Sequence, residues 1–116
     1  MATDLLDEIA RVHSGTIDAG RLVAAFRDAV VVVPTDGGQA LLTIDDHGVH
    51  WVTVFTGTTE LARFARARGD GERSWPYLTT RGARVLDTLL PALDGPAGVA
   101  VDIAGRRPVF LPPDFD

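Results

Sequence analysis

Along Trp51-Val52-Thr53-Val54-Phe55 the side chains alternate between two largely apolar faces. After the short break Thr56-Gly57-Thr58 the chain resumes as Thr59-Glu60-Leu61-Ala62-Arg63-Phe64-Ala65, with apolar residues at helical spacing. A strand that passes through a tight Thr/Gly turn into an amphipathic helix has to lay that helix back on a sheet, which restricts the chain to mixed α and β architectures. The length of 116 residues, 46% of them hydrophobic and 23% charged, suffices for one hydrophobic core and predicts a single domain.

Charge and composition remove several classes of function. The net charge is −5 and no Lys is present, so the clustered cations that neutralise phosphates in nucleic-acid binders are missing as a basic stripe. With no Cys there is no disulfide and no thiolate metal site, in keeping with a reducing, cytoplasmic location. The beginning Met1-Ala2-Thr3-Asp4 lacks the basic and apolar regions of a signal peptide, and no apolar run approaches the ~20 residues that cross a bilayer. The expectation is a soluble protein with no membrane partner.

Leu5, Leu6, Ile9 and Val12 place a helix over Thr3 to His13, ended by Ser14-Gly15, and Asp18 caps a second helical piece carrying Leu22, Val23 and Phe26. Residues 1–20 read as an N-terminal extension, either packed on the domain or exchanged with a partner molecule, followed by a domain over 21–113 and a tail at 114–116. Val30-Val31-Val32-Val33, ended by Pro34, fits a central strand covered on both faces. Turns at Asp36-Gly37-Gly38 and Asp45-Asp46-His47-Gly48 bound a second strand, Ala40 to Ile44, in an antiparallel meander with the third. Trp75 to Leu78 is a short edge strand beside Pro76. Thr79 or Thr80 caps a helix with the stripe Val85, Leu86, Leu89, Leu90 and Leu93, kinked or frayed at Pro91, and Gly98 to Ile103 forms a closing hairpin with Pro108 to Leu111. The fold class predicted is α+β, with a mixed, mostly antiparallel sheet of about five to six strands and two or three packed helices.

Four features together resemble the N-terminal domain of the SseB family over about Leu22 to Pro113: the strand ending Val-Pro, the segment Phe55-Thr56-Gly57-Thr58-Thr59-Glu60-Leu61-Ala62-Arg63-Phe64, the Leu-rich helix, and Gly98-Val99-Ala100-Val101-Asp102. The resemblance implies a compact bacterial α/β domain with no established catalytic residues. It also implies an association with secretion genes, and so a partner-binding role. Two positions depart from the family pattern: Gly57 stands where Ser is usual before the helix, and Ile103 where Pro usually follows the late Asp. Gly serves as an N-cap, and Glu60 is spaced to reach back to the capping amide.

The candidate sites follow from residue chemistry. Thr56, Gly57, Thr58 and Thr59 either bind a small anion at a helix N-terminus or simply cap the helix with Thr hydroxyls. Asp45, Asp46, His47 and His50 carry metal-ligand chemistry, but a hairpin turn explains them as well, and neither a metal nor another cofactor is assigned. His13 sits where it can cap a helix end. Asp102, inside an apolar strand, needs a partner such as Arg106 or Arg107 if it is buried, and a structural ion pair is favoured over a catalytic base. Trp75 and Tyr77 share a face of the edge strand and are the candidate contacts for a protein partner; Trp51, Phe55 and Phe110 complete the set of aromatics that either pack a core or line a surface. The reading is a non-enzymatic protein-interaction or accessory module, with a possible homodimer; the alternative is a regulatory domain binding a small anionic ligand at Thr56–Thr59.

Overall fold

In the computed structural model, which describes residues 3–16, 18–37, 40–69 and 75–113, the four-valine run forms strand β1, Val30–Pro34. Val31 and Val33 point into the main core, while Val32 points the other way into a smaller cluster with Phe55, Leu61 and Phe64. Both faces are therefore covered, as a β-branched run without alternation requires.

Strand β1 pairs antiparallel with β4, Tyr77–Arg81. A four-stranded sheet runs in the order β2, β3, β5, β6, where β2 is Thr43–Asp46, β3 Val49–Val54, β5 Ala97–Val101 and β6 Val109–Leu111. Neighbours are antiparallel except β3 and β5, which run parallel and are joined by the long crossover through α3 (Thr58–Ala67), β4 and α4 (Gly82–Arg84). The two sheets meet at Val32 and Phe55, whose N–H and C=O groups exchange hydrogen bonds of 2.8 Å each. At that point β1 takes over the edge of β3 that β2 has just left.

Here the predicted meander is corrected. The second strand lies at Thr43–Asp46 rather than Ala40 to Ile44, and β1 touches the segment before it only through the isolated pair Thr35 and Leu41. Pro34 has no N–H to extend a ladder, so the long partner of β1 is the sequence-distant β4. The β2–β3 hairpin does turn where expected: His47 (φ 50°) and Gly48 (φ 79°) supply the two left-handed residues of a tight turn.

Edge strand β4 begins after Pro76, two residues later than the expected start, and Thr79 and Thr80 belong to its ladder opposite Val32 and Val31 instead of capping a helix. The helix that follows, α4, has Arg81 at its N-cap with no side-chain capping bond; the Arg81 guanidinium donates to the Asp28 carbonyl instead. Its start is set by close approach. The Gly82 N–H donates to the Ala29 carbonyl at 2.9 Å, and a Cβ on Gly82 would lie 1.8 Å from the Phe26 carbonyl oxygen. The helix then widens into a π-helical turn, Val85–Leu89, and tightens into a 3-10 turn, Leu90–Ala92, as expected where Pro91 lacks a donor.

Helices α1 (Thr3–His13) and α2 (Ala19–Asp28) pack together, with Leu5 and Ile9 of α1 buried beside Leu22 and Phe26 in the main core. Within the single chain the first helix packs on its own domain. Glu8 of α1 pairs with Arg21 of α2 at 3.3 Å, and α2 is tied to the π-helical turn by the two-pronged Arg27–Asp87 bridge at 3.0 and 2.7 Å. Among the described residues no helix is long and apolar enough to cross a membrane.

Candidate functional site

Because β3 and β5 are parallel, their carboxyl ends lie side by side. The chain leaves β3 through Phe55-Thr56-Gly57 into α3 and leaves β5 at Asp102. The crevice beyond such strand ends is where α/β folds commonly hold ligands. Here it is a cleft of about 370 Å³, walled by Leu6 and Ile9 of α1, by Thr56, Glu60 and Arg63 at the start of α3, and by Asp102, Gly105, Arg106 and Arg107 of the β5–β6 loop.

Asp102 organises the floor. Its N–H donates to the Val54 carbonyl at 2.9 Å, extending the parallel pairing one residue past β5, and its backbone then turns left-handed with φ 52°. Asp tolerates that conformation better than most residues. Asp102 is 7% exposed, and its carboxylate accepts the Thr56 N–H at 2.9 Å and the Thr56 hydroxyl at 2.8 Å. Burial raises the Asp102 pKa above the ordinary carboxyl value; the two bonds from Thr56 oppose the shift, Glu60 adds to it and Arg63 reduces it. The expected ion pair to Arg106 or Arg107 is corrected to this pair of bonds from Thr56. The turn at Asp102 is closed by the Gly105 N–H on the Asp102 carbonyl at 2.9 Å, and Arg106 and Arg107 beyond it are exposed and line the same cleft without an ion pair to the carboxylate among the described residues.

Of the Thr56–Thr59 segment Thr56 lines the cleft, and the capping chemistry differs from that expected. Gly57 is the N-cap and no side chain caps the helix; the Thr56 hydroxyl serves Asp102 instead. Thr58 and Thr59 are exposed, and Glu60 lies 3.7 Å from Arg63 rather than closing a capping box. An anion does sit against the Thr56 amide, and it is the protein's own carboxylate.

The other candidates are dispersed. Trp75 is half-buried, edge-on to Phe64 with ring centres 5.8 Å apart, and belongs to the smaller apolar cluster. Tyr77 is 48% exposed on β4, so the two aromatics lie in different surroundings. Asp45 and His50 are joined at 2.6 Å and Asp46 and His47 at 2.8 Å, as two separate pairs on one hairpin. Among the described residues no three His, Asp or Glu side chains are grouped to hold a metal ion. His13 does not cap its own helix; its Nε2 lies 2.9 Å from the Pro108 carbonyl, fastening α1 to the start of β6.

That link closes one end of a second concavity, which sequence reasoning missed. Between α1, α2 and β6 lies an apolar groove of about 640 Å³, bounded by Val12, Leu22 and Val23 on one side and by Pro108, Phe110 and Pro112 on the other. Phe110 is 55% exposed and packs edge-on against Trp51 at 5.6 Å. The signal available in the sequence was an aromatic at the outward position of a strand, between the buried Val109 and Leu111.

Fold and surface together define a small α+β domain with a charged cleft at the ends of its parallel strands and an apolar groove beside its last strand. The chain belongs to the SseB family: the model of the SseB protein N-terminal domain matches residues 3–115, including α1. No curated protein and no solved structure was found to match it.

Proposed function

We propose that this domain is a non-catalytic accessory module that binds a protein partner, and that the partner lays an apolar segment in the groove between α1, α2 and β6. The observation that carries this reading is the groove with Phe110 more than half exposed at its rim. Exposed apolar concavities of this kind mark interaction surfaces on soluble domains. A protein segment fits better than a polar metabolite, because the polar side chain in the groove is His13 and its Nε2 is already engaged by Pro108. Pro108 and Pro112 stiffen the two ends of β6, which lowers the ordering cost of docking. Exposed Tyr77 on the edge strand β4 offers a secondary contact. A cytoplasmic role next to a secretion apparatus accords with the setting of related domains, and self-association through either surface is the homodimeric form of the same reading.

The test is a photo-crosslinking residue placed at position 110 of the tagged protein in its own host, with Phe110→Asp and Tyr77→Ala variants compared by affinity purification. A defined protein crosslinked at 110 and lost in Phe110→Asp supports the reading. If Phe110→Asp, shown to be folded, retains every partner of the parent, the groove is not the docking surface.

A further inference from the structure

We infer that the cleft beyond β3 and β5 is a separate binding site for a small phosphomonoester, held by the guanidinium groups of Arg106 and Arg107 with Arg63 beside them. The charge balance within the cleft is the starting point. Glu60 is matched by Arg63 and the Asp102 carboxylate is turned to the neutral donors of Thr56, so against these two acids the cleft holds three arginines, one cation in excess. Arg106 and Arg107 line the same cleft, and among the described residues neither has an ion pair. Two like charges held in one concavity repel each other, and an anion from solution is the group that relieves the repulsion. This cationic surplus sits on a protein whose net charge is −5.

The loop geometry that brings these arginines to the cleft is built rather than incidental. The left-handed Asp102 and the Gly105 N–H to Asp102 bond reverse the chain immediately after β5. A Cβ on Gly105 would lie 3.0 Å from the Glu60 carboxylate and 3.3 Å from the Asp102 carbonyl oxygen, so the loop passes close to the start of α3. Leu6 of α1, 49% exposed, lines the same cleft and adds an apolar wall to it. A dianionic phosphate carrying an apolar body satisfies both walls, and guanidinium groups suit phosphate by their forked donors. The Thr56 amide is committed to Asp102, so the site rests on the arginine side chains rather than on the helix N-terminus.

The probes are phenyl phosphate and inorganic phosphate, titrated into the full chain at low ionic strength and followed by backbone and Arg Nε–Hε NMR shifts. The expected result is saturable binding with shifts confined to Arg63, the 103–107 loop and Leu6, with phenyl phosphate the tighter ligand. Arg106→Ser/Arg107→Ser weakens it by roughly tenfold or more, while Phe110→Asp leaves it unchanged, so that failure here is distinguishable from failure of the groove reading. Non-saturating shifts, or equal affinity in the folded double variant, overturn the proposal. Equal affinity for the two probes removes the apolar body from it.

Discussion

The carboxylate of Asp102 accepts both the backbone N–H of Thr56 at 2.9 Å and its hydroxyl at 2.8 Å, across 46 positions of sequence. These bonds fasten the end of β5 to the turn where β3 becomes α3. They satisfy two donors and a buried acid together, and they bind the parallel pair at the end that opens into the cleft.

Asp102→Asn keeps an acceptor for the Thr56 N–H, suits the left-handed backbone and removes the cost of burying a charge. Its stability at neutral pH is expected to equal or exceed the parent, whereas Asp102→Ala strands the Thr56 donors and loses about 1–3 kcal/mol. The folded pKa of Asp102 lies above the unfolded value near 3.8, so the native state holds the proton more tightly. As pH rises from that value through the folded pKa, this residue's contribution makes the protein less stable; below it the contribution is flat. Urea unfolding of parent and Asn variant between pH 3 and 7 checks this, and an Asn variant with the same pH slope would remove Asp102 as its source.

Two glycines begin helices, and substitution should act in opposite directions. Gly82→Ala forces a Cβ to within 1.8 Å of the Phe26 carbonyl oxygen, and the overpacking is expected to cost about 1–3 kcal/mol despite the better helix propensity of Ala. Around Gly57 there is no atom within 4 Å of an added Cβ, so Gly57→Ser should stay within a few tenths of a kcal/mol, on the stabilising side. Chemical denaturation of the two variants decides it.

The Asp45 carboxylate, 2.6 Å from His50 Nδ1, raises the His50 pKa above the usual imidazole value of 6.5 through its hydrogen bond; partial desolvation opposes the shift and Asp94 assists it. The stabilisation from this pair is complete below 6.5 and is lost as pH rises through the folded value. Asp45→Asn should lower the His50 titration midpoint and flatten stability in that window. An NMR titration of the imidazole measures it, and an unmoved midpoint would exclude Asp45 as the cause.

Helix α1 is part of the core: Leu5 is 1% exposed while its neighbour Leu6 is 49% exposed. Leu5→Ala is expected to cost about 2–5 kcal/mol, and Leu6→Ala to remain within about 0.5 kcal/mol. Similar small losses for both would mean that α1 contributes little to folding.

The legible parts of this chain were those whose pattern is local. The valine run, the His47-Gly48 turn, the α3 stripe over Leu61 and Phe64 and the disturbance at Pro91 are each set by near neighbours. The candidate site was legible only in part. Asp102 was noticeable as an acid in an apolar strand, but its partner was misassigned to nearby arginines, because strand pairing brings Thr56 to it from far away in sequence. Trp75 and Tyr77 were grouped by alternation, yet Trp75 precedes β4 and packs on Phe64 instead. The apolar groove draws its walls from three elements that no local pattern connects.

The sequence by itself determined the α+β class, the SseB resemblance and the nature of most elements, since hydrophobic periodicity, turn residues and caps act within a few residues of each other. Only the tertiary structure decided which strands pair, that β3 and β5 run parallel, that Asp102 meets Thr56, and that Arg106 and Arg107 share a cleft with Leu6. Those relations depend on how several buried faces are satisfied at once: the two faces of β1 enter different clusters, and α4 starts at Gly82 because only a residue without Cβ fits against Phe26.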